Sequence, residues 1–217
     1  VTITGYTGPG GAVTIPDTLA GLPVTAIGYY AFYSCSSLTS VTILSGVTTI
    51  EAWSFSYCSN LTSFTIPSSV NSIGDYAFSH CSSLTNVTIP ESITSIGFAA
   101  FYSCSSLTNI TIPESVTSIG IWVFVDCSSL TAIEVDVANN NFSSVGGVLF
   151  NKVQTTLMQC PAGKAGTYTI PGSVTSIGEG GDGAFFLCYN LAAIEVDVAN
   201  NDFSSVDGVL FNKAQTT

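Results

Sequence analysis

The chain carries very little charge, and most of that charge has one sign. Only 8% of its 217 residues are charged, whereas about a quarter is usual in a globular domain. Arginine is absent, and 14 Asp and Glu residues face 3 Lys, for a formal net charge of -11. Such a surface repels phosphate backbones and anionic lipids. The composition therefore excludes nucleic acid as the partner.

Residues that catalysis and membrane insertion need are also scarce. His80 is the single histidine, so the sequence lacks a catalytic triad, and we find no nucleophile elbow. No apolar run reaches the ~18 residues that cross a bilayer. We expect no enzyme activity, no cofactor and no membrane span. The chain starts at Val1 without a signal-peptide pattern, and we interpret it as a mature or excised fragment.

A period of 23 residues dominates what is present. Around each repeated cysteine, Phe stands three residues before and Leu three residues after, with further apolar residues six and eight positions downstream. A sixth unit, stretched by three residues, runs from Ile177 through Cys188 to Val196. The five regular units are marked by Cys35, Cys58, Cys81, Cys104 and Cys127.

Each unit predicts one coil of a repeat solenoid. The segment LTSVTI alternates apolar and polar residues, as a strand does. Proline ends this strand, SVTSIG adds a second extended piece, and YAFYSC forms the return turn. No unit buries its apolar face alone, so stacking must build the core. The period and the LxxLxL pattern are typical of leucine-rich repeats, which predicts a mostly β solenoid with a parallel sheet on its concave face.

The repeats resemble the BspA-like bacterial leucine-rich repeats. The best matches are residues 61–83 and 84–106, where Pro67, Gly74 and Phe78 stand at the positions of that repeat. The resemblance implies a right-handed coil. It also implies a secreted or cell-surface protein of host-associated microbes that adheres to host matrix proteins or to other cells.

A longer repeat interrupts the solenoid. Residues 135–156 and 196–217 differ at only three positions. The segments GVLFNK and TTLMQCP predict a β-hairpin with its turn at Asn151 and Lys152. The second copy stops at Thr217, so we expect residues 203–217 to be mobile or to pair with another molecule. The predicted parts of the single domain 1–217 are an irregular coil (1–25), five repeats (26–135), a hairpin insertion (136–170), the sixth repeat (171–196) and a truncated second hairpin (197–217).

The repeated cysteines have two interpretations, a ladder of reduced buried thiols and a set of disulfides. Neighbouring coils lie ~4.8 Å apart, whereas the Cβ atoms of a disulfide want ~3.8 Å. We favour the thiol ladder, because cysteine is small, apolar and readily buried. Two weaker motifs remain. Gly178–Gly183 matches the GxGxxG pattern of dinucleotide-binding sites, but we interpret it as an insertion within a repeat. Asn60, Asn86, Asn109 and Asn141 begin N-glycosylation sequons.

Oxygen-bearing side chains cluster in the segments EVDVANNNF and EVDVANNDF. Calcium prefers such ligands, although Asn and Asp are also ordinary turn formers. Both interpretations stay open, and elsewhere we predict no metal site. The calcium candidates are Glu134, Asp136, Glu195 and Asp197, with Asn139, Asn141, Asn200 and Asp202 beside them.

Residues between the core positions of each strand should point outward. We predict that this face binds a protein partner. Its candidate residues are Ser40, Thr42, Ser63, Thr65, Asn86, Thr88, Asn109, Thr111 and Glu134, and Ala132, Ala193 and Glu195 continue the rows.

A second line stands five residues before each cysteine: Tyr30, Trp53, Tyr76, Ala99 and Trp122. Aromatic residues of this kind form binding hot spots, but packing between coils explains Trp53 and Trp122 more simply. The sequence therefore favours a non-enzymatic protein-binding module of an adhesin. A structural spacer and an ice-binding array of threonines are the alternatives.

Overall fold

The computed structural model describes residues 1–178 and 183–213, and within them all regular structure is β-strand. The chain winds into a solenoid of about eight turns with parallel sheets, so the predicted repeat solenoid is confirmed. The insertion proposed for Gly178–Gly183 lies mostly outside the described residues, as do residues 214–217.

Most strands are short, because each coil needs only one or two extended corners. Some are two-residue pieces and the longest have six residues. In chain order the strands are β1 Thr2–Ile3, β2 Gly11–Ile15, β3 Thr18–Leu19, β4 Leu22–Pro23, β5 Ala26–Ile27, β6 Leu38–Ile43, β7 Thr49–Ile50, β8 Ser63–Thr65, β9 Ser72–Ile73, β10 Asn86–Thr88, β11 Ser95–Ile96, β12 Asn109–Ile112, β13 Ser118–Ile119, β14 Ala132–Val135, β15 Phe142–Val145, β16 Val148–Asn151, β17 Thr156–Gln159, β18 Gly166–Ile170, β19 Ser176–Ile177, β20 Leu191–Val196, β21 Phe203–Val206 and β22 Val209–Asn212.

Two six-stranded parallel sheets run along the first part of the solenoid. One has the order β1-β5-β7-β9-β11-β13, and the other has the order β2-β6-β8-β10-β12-β14. Within them equivalent repeat positions pair. Val41 is opposite Phe64, which is opposite Val87. The 23-residue period therefore equals one coil, and each residue type stacks on its counterpart.

Phenylalanine rings form the centre of the core. Phe55, Phe78 and Phe101 are fully buried, and each stacks nearly parallel on the next, with ring centroids 5.4 and 5.3 Å apart. The stack continues to Phe32 on one side and to Phe124 on the other. Two hydrophobic clusters make up the core, one between Ile15 and Leu149 and a smaller one from Val148 onward.

The cysteines form the predicted thiol ladder. All seven are free in the structure, and four of them have no exposed surface: Cys58, Cys81, Cys104 and Cys127. Each of these thiols donates a hydrogen bond to the phenylalanine carbonyl of the preceding coil. The Sγ of Cys81, for example, lies 3.2 Å from the oxygen of Phe55. The ladder therefore joins coils as well as filling space, which the sequence did not reveal.

Serine and threonine hydroxyls join the same coils along other lines. Thr62 donates to the carbonyl of Thr39 at 3.1 Å, and Thr94 donates to that of Asn71 at 3.2 Å. Ser92 donates to the carbonyl of Val70 at 2.6 Å. The carbonyls of Thr39 and Asn71 also accept the backbone N–H groups of Thr62 and Thr94, so these hydroxyls add a second hydrogen bond between the same two coils.

The hairpin insertion has one strand more than the sequence predicted. Strands β16 and β17 pair antiparallel, which confirms the hairpin, although its turn spans residues 152–155 and Asn151 still belongs to β16. Strand β15 also pairs antiparallel with β16, through a turn at Gly146 and Gly147. Strand β17 then pairs in parallel with β19, so the insertion rejoins the solenoid. The second copy forms the β21–β22 hairpin.

Candidate functional site

Strands β6, β8, β10, β12 and β14 place their polar residues on one surface, which we call the strand face. Ser63 pairs with Asn86, and Thr65 pairs with Thr88, so the two predicted rows are in register. All of these side chains are exposed except Ser40 and Ala132, which are half-buried. The rows consist of Ser40, Ser63, Asn86, Asn109 and Ala132, and of Thr42, Thr65, Thr88, Thr111 and Glu134.

Threonines on this side of the solenoid are of two kinds. The hydroxyls of Thr85 and Thr108 donate hydrogen bonds to backbone carbonyls of the preceding coil. By contrast, Thr88 and Thr111 are exposed and make no side-chain hydrogen bond within the part of the chain that the structure describes. The outward row is therefore free to bind, whereas the neighbouring row holds the coils together.

The middle of the strand face contains a shallow depression of about 350 Å³. Four predicted residues line it, namely Asn86, Thr88, Asn109 and Thr111. The carboxylates of Glu91 and Asp136 belong to the same lining. The Asn109 amide donates to Thr108 Oγ1 at 3.1 Å, which fixes its orientation. The surface thus offers amide and hydroxyl groups at its centre with negative charge beside them.

Several of the calcium candidates form hydrogen bonds with backbone groups in the structure. Asn139 is fully buried and donates to the carbonyls of Pro113 and Val116. Its Oδ1 accepts from two backbone N–H groups. Asn200 repeats this arrangement, and Asp136 and Asp197 each accept from the N–H two residues later.

These contacts favour the turn-forming role for the Asn and Asp residues. Glu134 and Glu195 are exposed on the outer row. Within residues 1–178 and 183–213, no three His, Cys, Asp or Glu side chains come together as metal ligands. Calcium binding by Glu134, Asp136, Glu195 and Asp197 stays a prediction.

The structure shows more aromatic residues beside the line from Tyr30 to Trp122, which we call the aromatic line, than sequence analysis identified. Trp53 stacks on Tyr30 and Tyr76 of the adjacent coils, as the packing interpretation expected. However, a second row runs beside it, formed by Tyr57, His80 and Tyr102. These three residues stand one or two positions before a cysteine. Other repeats have Ser34, Ser103 and Asp126 directly before the cysteine, so the sequence did not show a regular aromatic row. The six rings around this space are Trp53, Tyr57, Tyr76, His80, Tyr102 and Trp122, and we call it the aromatic cleft.

Comparison with known proteins decides the family. The family model described as BspA type leucine rich repeat region matches residues 25–157 with six copies. The chain belongs to the BspA-type leucine-rich repeat family. No curated protein sequence matches the chain. Membership of this family supports a role in protein interaction for this repeat protein. Leucine-rich repeat families are generally non-enzymatic.

Solved structures of bacterial leucine-rich repeat proteins have the same fold. A Treponema pallidum (T. pallidum) leucine-rich repeat protein has 30% identity and a TM-score of 0.60, covering 82% of this chain and 73% of that one. A leucine-rich cell surface protein of Faecalibacterium prausnitzii has 30% identity and a TM-score of 0.62, covering 90% and 65%. The pneumococcal vaccine antigen PcpA, at 24% identity, has a TM-score of 0.68 and covers 92% and 58%.

The chain spans less than two thirds of the length of two of these three proteins. Among the residues that the structure describes, no helix is long and apolar enough to cross a membrane.

Proposed function

We propose that this chain is a non-enzymatic protein-binding module of a secreted or cell-surface adhesin. It engages a host matrix protein or a protein on a neighbouring cell through the strand face. The observation that carries the proposal is the depression lined by Asn86, Thr88, Asn109 and Thr111. These polar side chains are exposed and contribute little to the core.

Two further observations support the surface location and the mode of binding. A cell surface protein of Faecalibacterium prausnitzii is 30% identical and shares the fold. The strand face is also rigid, since each of its strands is hydrogen-bonded on both sides or ends against the hairpin insertion. A rigid surface loses little conformational entropy when it binds.

The test replaces the four depression residues with lysine and measures binding to a panel of extracellular matrix proteins. The four lysine side chains add bulk and positive charge at the centre of the strand face. We expect at least a tenfold loss of affinity, about 1.4 kcal/mol, for any matrix protein that binds the parent chain. The free energy of unfolding should change little, because all four positions are exposed.

A matched control carries the same four added charges elsewhere. Ser45, Ser68, Asn71 and Ser118 are exposed outside the strand face, and their replacement with lysine should leave binding unchanged. Equal losses in both variants would mean that net charge, not the strand face, governs binding. If binding survives the strand-face change but is lost when Tyr30 and Tyr76 become serine, the partner site lies on the aromatic line.

Two rival functions give different results in the same preparations. A structural spacer predicts that no matrix protein binds the chain at all. The in-register threonines Thr42, Thr65 and Thr88 also suit an ice-binding array. That function predicts thermal hysteresis in solution, which the lysine variant would abolish.

A further inference from the structure

The aromatic cleft is a space of about 230 Å³ with two aromatic walls. In one wall, Trp53 stacks on Tyr76 with ring centroids 3.9 Å apart. In the other, Tyr57 stacks on His80 at 4.2 Å, and His80 meets the edge of Tyr102 at 5.4 Å. Ring contacts within each wall thus hold its side chains in place before any ligand enters.

The backbone needs turns at these positions but does not need aromatic residues. Each coil turns through two residues with positive φ, and in the walls these include Trp53 (60°), Tyr57 (62°) and His80 (58°). Bulky residues are unfavourable in this left-handed region, where Gly or Asn costs less. Equivalent turns are made by Ala99 and Ser103. Because the same turns recur with and without an aromatic residue, the aromatic identity calls for an explanation other than the turn.

Packing of the core does not provide that explanation. The phenylalanine stack already fills the interior, and in the described residues the cleft rings neither belong to the core cluster nor pack against it. Tyr57 is exposed, and the other rings are half-buried. The cleft is therefore a partly open aromatic surface. Its rings contact one another, and backbone hydrogen bonds, such as that from the Tyr57 N–H to the Ser79 carbonyl, join the coils that carry them.

Charge around the cleft is negative. All three lysines of the chain lie beyond residue 151, and each is bonded to backbone carbonyls of the hairpin insertions. Two carboxylates act on the cleft rings. Asp75, next to Tyr76, adds to burial in raising the pKa of that phenol. Asp126 acts on His80, although burial lowers the pKa of this imidazole overall.

An aromatic surface with carboxylates nearby attracts cations, because the ring faces carry negative potential. The cleft is also elongated. Its walls extend from Trp53 to Trp122, three coil steps, or about 14 Å at the spacing of parallel strands. An extended peptide covers that distance with about four residues. A single small cation would contact only part of it.

We propose that the aromatic cleft binds an extended polypeptide segment by its lysine or arginine side chains. The partner is a basic segment of another protein, recognised by cation–π contacts with the walls and by the charges of Asp75 and Asp126. This surface is separate from the strand face, so the inference does not rest on the function proposed above.

The two tryptophans make the proposal directly measurable. Trp53 and Trp122 are the only tryptophans in the chain, and both line the cleft. Titration with tetralysine or tetraarginine at physiological salt should produce a saturable change in tryptophan fluorescence, and tetraglutamate should produce none. The absence of a saturable response to either basic peptide would overturn the proposal. An equal affinity for lysine amide would show a site for small cations instead, which would also overturn it.

Variants assign the response to the cleft. Replacing Tyr57 and Tyr76 with leucine should weaken tetralysine binding at least tenfold while leaving both tryptophans in place. The matched control replaces Tyr29 and Tyr189, which are exposed and outside the cleft, and should bind like the parent. Unchanged affinity in the Tyr57 and Tyr76 variant would refute the proposal.

A charge variant provides a second route if the leucine variant does not fold. Asp75→Asn and Asp126→Asn together remove two charges and keep hydrogen-bonding side chains at both positions. We expect at least a threefold loss of tetralysine affinity, and no loss would contradict the role of charge. The strand-face lysine variant should bind tetralysine as well as its own matched lysine control does, which separates this result from the function proposed above.

Discussion

At the scale of single residues, Phe78 shows what holds the solenoid together. Its ring is fully buried between Phe55 and Phe101 and also meets the edge of Phe64, with centroids 4.6 Å apart. Each repeat supplies one such ring, and the neighbouring coils supply its surroundings. The stability of one coil therefore depends on its neighbours.

We expect Phe78→Ala to lower the free energy of unfolding by about 3–5 kcal/mol, because the cavity lies between coils whose backbones are hydrogen-bonded and cannot collapse. Urea denaturation followed by circular dichroism measures the change. Tyr189→Ala is the control, since 85% of that side chain is exposed. A loss below about 1 kcal/mol for Phe78→Ala would contradict the aromatic stack as the source of stability.

The cysteines differ in reactivity because their surroundings differ. Burial raises the pKa of the Cys58 thiol to about 12 and that of Cys81 and Cys104 well above its usual range. Cys188 is only partly buried, and a hydrogen bond from Cys160 lowers its pKa. The thiolate is the reactive form, so Cys188 should react first.

Iodoacetamide at pH 8 should therefore modify Cys188 while Cys58, Cys81 and Cys104 stay unmodified in the native protein. After denaturation without reductant, all of them should react fully, since they are free thiols. Mass spectrometry of the peptides gives the answer. Disulfide-linked peptides containing the ladder cysteines would show that the thiol ladder is wrong.

At the scale of elements, the close approach of neighbouring coils limits which residues fit at the corners. A Cβ added to Gly97 would lie 2.5 Å from Asp75 Oδ1 and 2.6 Å from the nitrogen of Asp75. Gly74 and Gly120 approach the preceding coil in the same way. The glycine after each SxxSI-type segment is thus needed for stacking and not only to end a strand.

Gly97→Ala should lower the free energy of unfolding by roughly 1–3 kcal/mol, because the coils must separate to admit the methyl group. Gly5→Ala is the matched control, since nothing lies within 4 Å of its added Cβ. That control should change stability by less than about 0.5 kcal/mol. Equal effects at both positions would indicate that backbone entropy, not close contact, explains the result.

At the scale of the whole molecule, the hairpin insertion divides the core into two clusters and must still hold the parts together. Asn139 provides one connection. It bonds two carbonyls of the preceding coil, Pro113 and Val116, and two N–H groups at the start of the insertion. Asn200 makes the same set of bonds 61 residues later, so the long repeat preserves the connection.

We expect Asn139→Ala to destabilise the protein by at least about 2 kcal/mol, because buried backbone groups lose their partners. Asn140→Ala, at the exposed neighbouring position, should have little effect, and thermal unfolding compares the two. The same measurement with added calcium tests the alternative role of this segment. A calcium-dependent rise in Tm that requires Glu134 and Asp136 would support the metal site.

Sequence alone was enough for the repeating part of the molecule. The 23-residue period, the alternation in LTSVTI and the recurring Phe, Leu and Cys positions specify which side chains point inward, because alternation along a strand is a local property. For the same reason the outward rows from Ser40 to Glu134 could be named. The β16–β17 hairpin was also local, as its strands adjoin its turn.

Tertiary structure alone decided the features that join one coil to the next. The bond from Cys81 to Phe55, the two bonds from Asn139 to Pro113 and Val116 and the walls of the aromatic cleft all link residues on different coils. Their geometry depends on how far each coil shifts and turns against its neighbour, and no local pattern specifies that displacement. The two aromatic rows met only because left-handed turns in successive coils aim Trp53, Tyr57, Tyr76 and His80 toward a common space.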